Sequence, residues 1–161
     1  MNNSDSNRLT YVRDISKAKL ETLASSSTAQ QAAKKLRNSS SSSLLIVDDA
    51  SGKSIGILTE RDLVRKVCAL HKQSSQTIVK DIMSAPIITV NANSSLKDAA
   101  DEMIQHKVRH LVVLDGGREH GIISANDFAN YLRQNVNMDE VNAAILESLM
   151  NIKEEEDGGS V

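Results

Sequence analysis

The sequence predicts an α+β fold: two tandem copies of one unit, each a small three-stranded sheet with two helices, followed by a C-terminal helix. Three observations carry this. The stretch Gly56-Ile57-Leu58-Thr59-Glu60-Arg61-Asp62 returns as Gly121-Ile122-Ile123-Ser124-Ala125-Asn126-Asp127, in both cases Gly, two aliphatics, a hydroxyl residue, two variable residues and Asp. Upstream, Val12-Arg13-Asp14-Ile15 falls on Val79-Lys80-Asp81-Ile82. The same register continues without a gap through Ala32-Ala33 on Ala99-Ala100 and Leu44 to Asp48 on Leu111 to Asp115; one turn is then two residues shorter in the second copy. Finally, each unit reads extended–helix–strand–strand–helix over about 60 residues, with a sheet too small to bury its own faces, so two units must pack together.

Taken in order, residues 1–10 form a polar leader, and the first unit spans 11–72. In it Thr28-Ala29-Gln30-Gln31 has the form of a capping box, Thr accepting from the first-turn backbone and Gln reaching back. Ala29, Ala32, Ala33 and Leu36 follow at helical spacing. The serine run to Ser43 ends that helix, Leu44 to Val47 is a buried strand, Asp48 to Gly52 a turn, and Ser54 to Leu58 its hairpin partner. Leu63, Val64, Val67 and Leu70 predict the apolar face of a second helix, with Cys68 packed beside it. His71 to Gln76 is a polar linker.

The second unit, 79–134, repeats the plan. Pro86 breaks the chain, Ile87 to Val90 is extended, and Ser95 to Asp98 is another capping box leading into Leu96, Ala99, Ala100 and Met103. Val108 to Leu114 is the buried strand, Asp115-Gly116-Gly117 the turn, and Gly121 to Ile123 its partner; Phe128, Tyr131 and Leu132 predict the inward face of the last helix. Beyond the repeat, residues 139–152 predict an amphipathic helix through Val141, Ile145 and Leu149, and 153–161 an acidic tail.

Composition limits function. Apolar residues make up 40% of the 161-residue chain but aromatics only 2%, so the core is aliphatic. A net charge of −2 gives no general attraction to nucleic acid or anionic membrane. One cysteine excludes an internal disulfide and a cysteine-rich metal site. No apolar run is long enough to span a bilayer and the N-terminus lacks a signal-peptide core, so a cytoplasmic protein without membrane contact is expected. His71, His106, His110 and His120 show no metal spacing, no nucleophile–base pattern stands out, and no phosphate loop ending in Lys-Ser/Thr is present. An enzyme is not expected, nor a required cofactor.

A hydroxyl and a carboxylate three residues apart at a helix start admit two readings. They cap the first-turn N–H groups, or they hold a ligand whose anionic end is drawn to that terminus. Val-x-Asp-Ile-Met with the following Ala-Pro, the capped Ala-Ala helix, the aliphatic strand ending in Asp, and Gly-Ile-x-Thr-Glu-Arg-Asp-Leu resemble the CBS domain, named for cystathionine β-synthase, from Val12 to about Leu132. A tandem pair resembles a Bateman module. The resemblance implies units packed through their sheets with pseudo-twofold symmetry, two clefts, homodimer formation, and an adenosine-containing ligand (AMP, ADP, ATP or S-adenosylmethionine) whose occupancy regulates an effector protein in trans. It places the ribose-binding carboxylate on Asp62 and Asp127, the hydroxyl on Thr59 and Ser124, and base-flanking backbone at Gly56-Ile57 and Gly121-Ile122. Ile87 and Ile88 would wall the adenine, and Arg109 with His110 would meet phosphates.

A carboxylate suits both ribose hydroxyls, and glycine lets backbone approach a ligand closely. Opposite Ile88 stands Glu21, and opposite Arg109-His110 stand Ser42-Ser43, so the clefts are expected to differ, the first being less apolar. Two other classes compete. One is RNA or ribonucleoprotein binding through Lys107, Arg109, Arg118, Arg61, Arg65 and Lys66, disfavoured by the missing stacking aromatics. The other is a structural adaptor with vestigial clefts.

Overall fold

The computed structural model describes residues 10–39 and 41–135, with Ala143. Most of the leader, the 139–152 helix and the acidic tail lie outside the described residues. By compactness the chain divides into residues 1–124, which hold both sheets, and 125–161, of which one helix is described.

In the first copy, α1 (Val12–Ile15) is a single turn. It is followed by β1 (Thr22–Ala24), α2 (Ala29–Asn38), β2 (Ser43–Val47), β3 (Ser54–Thr59) and α3 (Glu60–Leu63). A short 3-10 turn at Val79–Asp81 opens the second copy, with β4 (Thr89–Asn91), α4 (Leu96–His106), β5 (His110–Asp115) and β6 (Arg118–Ser124). Each sheet has the order β1-β2-β3 or β4-β5-β6, parallel across the first pair and antiparallel across the second. The duplication holds even in the irregularities. The antiparallel register slips between Ile46 and Val47 and again between the matching Val113 and Leu114, in each case beside the motif glycine.

The predicted capping boxes form at both long helices. Gln31 N donates to Thr28 Oγ1 at 3.2 Å and Thr28 N to Gln31 Oε1 at 2.8 Å; Asp98 N donates to Ser95 Oγ at 3.0 Å and Ser95 N to Asp98 Oδ2 at 3.2 Å. The linker assists α2, whose Ala29 and Gln30 N–H groups donate to the carbonyls of Thr77 (2.7 Å) and Ser74 (3.0 Å). First-turn donors with no partner in the helix are thus satisfied from outside it.

The core is aliphatic. In the first copy Ala29, Ala32, Leu36, Leu44, Ile46, Leu58 and Val67 pack into one cluster that also takes in Val79 and Ile82 of the second copy. Those two come from an exchange of leading segments. Val79 N donates to Ser27 O (2.8 Å), and Ser84 pairs both ways with Ile57 (2.8 and 3.0 Å). Reciprocally, Val12 N donates to Ser94 O (3.0 Å), and Lys17 pairs both ways with Ile122 (2.9 and 3.0 Å). Each copy's leader closes the other copy's sheet, and the matching residue numbers define a pseudo-twofold within residues 10–124.

Several sequence expectations are corrected. Val67 is buried, but Val64 and Leu70 are each 59% exposed and Cys68 is exposed. The cause is local: after α3 the backbone widens into a π-helical turn, Val64–Cys68, with Ala69 N donating to Val64 O, which breaks the 3.6-residue spacing. Ala33 is exposed, Val108 precedes β5 rather than opening it, and α4 stops at Lys107 in the left-handed region (φ 55°). In the second unit, α5 (Ala125–Asn135) carries a half-buried Phe128 and Tyr131, while Leu132 is half exposed rather than inward.

Candidate functional site

Thr59 is the last residue of β3 and Asp62 lies in the first turn of α3, so the end of the strand fixes the carboxylate against the hydroxyl. Asp62 Oδ2 accepts from Thr59 Oγ1 (2.8 Å) and Thr59 N (2.9 Å), while Asp62 N donates to Thr59 Oγ1 (3.3 Å). The capping reading is therefore realised here. The other oxygen, Oδ1, pairs with Lys66 Nζ at 2.8 Å and accepts from Ser84 Oγ at 3.5 Å; Lys66 also donates to the carbonyl of Ile82 (2.7 Å). Asp62 is only 8% exposed, and a carboxylate so buried needs these partners. The sequence offered Lys66 only as a nucleic-acid contact, and Ser84 in no role. Lys66 had a signal, its position four residues after Asp62 on one helical face. Ser84 had none, because it arrives through the exchange.

In the second copy Ser124 ends β6 and is buried, and Asp127, in the first turn of α5, is buried as well. Ser43 pairs with Thr59 and His110 with Ser124 in the two sheets, and Ser42 Oγ lies 3.4 Å from His110 Nε2. The starts of β2 and β5 thus bring Thr59, Ser42, Ser43, His110 and Ser124 into one neighbourhood. Arg109 is exposed just ahead of β5.

Each leading segment touches both copies. The one that pairs with Ile57 through Ser84 runs on to the half-buried Ile87 and Ile88, and the Ile88 carbonyl accepts from Val112 N of the second sheet at 3.0 Å. The one that pairs with Ile122 through Lys17 runs on to Glu21, whose carbonyl accepts from Leu45 N of the first sheet at 2.8 Å. Glu21 is paired with Lys19 at 2.7 Å and with Lys35 of α2 at 3.8 Å. Its hydrogen bond to Lys19, with the charges of both lysines, holds its carboxyl below the usual glutamate value.

The glycines have an additional duty. A Cβ at Gly56 would collide with the Met83 thioether and meet Ser84 O at 3.0 Å; one at Gly121 would collide with the Lys17 carbonyl oxygen. The close approach that glycine permits is here between protein segments.

Comparison with known proteins agrees with this architecture. A CBS domain family model matches residues 12–69 and again 79–134. The chain is 42% identical over 74 residues to an uncharacterized protein of Methanopyrus kandleri, covering 45% of this chain and 38% of that one. It is 36% identical over 74 residues to a CBS domain-containing protein of Bacillus subtilis, covering 46% and 52%. The chain thus spans about half or less of these curated relatives. Among solved structures, it is similar to a putative signal-transduction protein with CBS domains from Burkholderia ambifaria (33% identity, TM-score 0.71, 80% of this chain and 97% of that one). It is also similar to a CBS domain protein of Agrobacterium tumefaciens (28%, TM-score 0.69, 80% and 98%).

Proposed function

The chain belongs to the CBS domain family, and on that premise we propose that it is a non-catalytic regulatory module that binds an adenosine-containing ligand and signals occupancy to an effector protein. One observation carries the reading. Among the described residues the buried polar side chains are Ser25, Ser43, Asp62, Ser124 and Asp127. All but Ser25 belong to the repeated motif or pair directly with it. A fold that needed only helix caps would leave them at the surface, as it does at Thr28, Gln31 and Asp98, which cap their helices without being buried. Burying carboxylates is costly unless they are used or paired.

In this reading Asp62 and Asp127 accept ribose hydroxyls, Thr59, Ser124 and His110 meet polar parts of the ligand, and Ile87 and Ile88 give an apolar wall for the adenine. Ligand contacts both copies at once and favours one relative arrangement of them, by no more than its difference in affinity for the two arrangements. The similar Burkholderia protein's description as signal-transducing supports a regulatory role. A homodimer acting on a partner in trans completes the proposal.

The test is calorimetric titration and thermal unfolding with AMP, ADP, ATP and S-adenosylmethionine. A ligand at 100 times its Kd should stabilise by about 2.7 kcal/mol, and Asp62→Ala or Asp127→Ala should remove that gain. Wild-type protein unmoved by all four ligands would leave the motifs as helix caps.

A further inference from the structure

The Asp62 carboxylate has no acceptor position to spare. Such a group offers about four, two on each oxygen. Oδ2 holds Thr59 Oγ1 (2.8 Å) and Thr59 N (2.9 Å); Oδ1 holds Lys66 Nζ (2.8 Å) and, at the long end, Ser84 Oγ (3.5 Å). A vicinal diol needs two acceptor positions, so it reaches this carboxylate only where donors leave. The donors differ in how readily they do. Thr59 is fixed twice over, its N–H being backbone at the helix start and its Oγ1 also accepting from Asp62 N (3.3 Å). Removing either opens the capping box. The Ser84 hydroxyl is a rotor on a long bond. Lys66 is the one strong donor that can move: its side chain is 39% exposed, and its four-carbon stem can carry the ammonium out to water.

We infer that Lys66 is a built-in competitor for the Asp62 cleft: its ammonium holds the oxygen that a ribose diol takes, and binding there exchanges Lys66 Nζ for ribose hydroxyls at Oδ1. The affinity of this cleft is then a difference between two charge-assisted interactions, and lower than an unguarded carboxylate gives. A second hydrogen bond, to the carbonyl of Ile82 (2.7 Å), keeps Lys66 at its post. The repeat itself does not call for a cation here, since the residue four places after Asp127 is Tyr131. This inference rests on the nucleotide-binding reading above and adds to it the residue that sets the affinity of one cleft.

The experiment titrates the whole chain with adenosine, which has the diol and no phosphate, and with 2′,3′-dideoxyadenosine, which lacks both. The Gly56 and Gly121 amide resonances follow the two motif copies in wild type, Lys66→Met, Lys66→Gln and Lys66→Arg. Lys66→Met should tighten adenosine binding at Gly56 about tenfold, the equivalent of one charge-assisted hydrogen bond no longer competing. It should also lower the melting temperature without ligand, because a buried carboxylate loses a partner. Lys66→Gln, which keeps a donor but not the charge, should give a smaller gain and decides the matter if the Met variant does not fold. Lys66→Arg should bind as wild type does, and dideoxyadenosine should show no gain with any variant. Unchanged or weaker adenosine binding in the Met and Gln variants, while either glycine amide still responds in wild type, overturns the inference and leaves the nucleotide reading standing. An equal gain with dideoxyadenosine overturns it too. No response of either amide in any of the proteins, to adenosine or to AMP, ADP, ATP and S-adenosylmethionine, overturns the nucleotide reading and this inference with it.

Discussion

Gly56 and Gly121 occupy one position of the repeat but face different obstacles, and that difference is measurable. A Cβ at Gly56 meets chiefly the flexible end of Met83, whereas at Gly121 it meets the Lys17 backbone carbonyl, which accepts from Ile122 N while Lys17 N donates to Ile122 O. Overpacking of this kind costs about 1–3 kcal/mol. Gly121→Ala should therefore lower the urea midpoint more than Gly56→Ala, and adding Met83→Ala should recover part of the Gly56→Ala loss but none of the Gly121→Ala loss. Asp49 gives a second residue-level test. It accepts from Ser25 Oγ (2.7 Å) and Ser26 N (2.9 Å), and these bonds, that from Ser25 foremost, hold its carboxyl below the ordinary aspartate value of 3.8. A depressed folded-state value means stability that is present above pH 3.8 and lost as pH falls through the lower folded value. Thermal unfolding followed from pH 6 to pH 3 should show Asp49→Asn less stable than wild type at the upper end, with the difference closing at the lower.

Among the elements, the helix starts separate what a sequence states locally from what it leaves to tertiary structure. Thr28-x-x-Gln31 and Ser95-x-x-Asp98 were legible because a capping box needs only residues three apart. Removing either hydroxyl, by Thr28→Ala or Ser95→Ala, should cost about 1 kcal/mol in chemical denaturation. The burden at Thr28 should be the smaller, because the carbonyls of Thr77 and Ser74 still hold the next two donors. The helix after Asp62 was misread for the opposite reason. Leu63, Val64, Val67 and Leu70 fit a 3.6-residue period, but the π-helical turn at Val64–Cys68 carries Lys66 to Asp62 and Ile82 and turns Val64 and Leu70 outward. No local pattern announces an i→i+5 hydrogen bond, and here the tertiary demand of a buried carboxylate outweighs the periodicity.

For the molecule as a whole, the duplication, both sheets and the motif positions were legible, because the repeat is written in aliphatic runs, turns and caps. The partnership of the site residues was not. Ser84 against Asp62 and Lys17 against Ile122 join residues that no periodicity relates. The same exchange predicts the folding unit. A fragment of residues 1–72 lacks Val79 and Ile82, both fully or almost fully buried in its own core cluster, and lacks the Ser84 pairing that covers Gly56. Its amide spectrum should show the narrow dispersion of an unfolded chain, and adding a 73–161 fragment in trans should restore dispersion. A well-dispersed spectrum for 1–72 alone would show that the leaders are ornaments.

The exchanged leaders also imply a history. Two separate one-unit chains, each laying its first segment on the other's sheet, would form an isologous pair about a true twofold. Joining the end of one to the start of the other through a short polar peptide such as His71–Thr77 would disturb none of the pairings. The present chain has the form of such a dimer fused into one polypeptide. Fusion removes the constraint that symmetry places on a homodimer, in which every substitution appears twice. After it, Ser16 could part from Met83, Glu21 from Ile88 and Lys17 from Ser84, each pair still sharing one backbone scaffold. A receptor with two matched pockets could then become one whose pockets answer to different ligands.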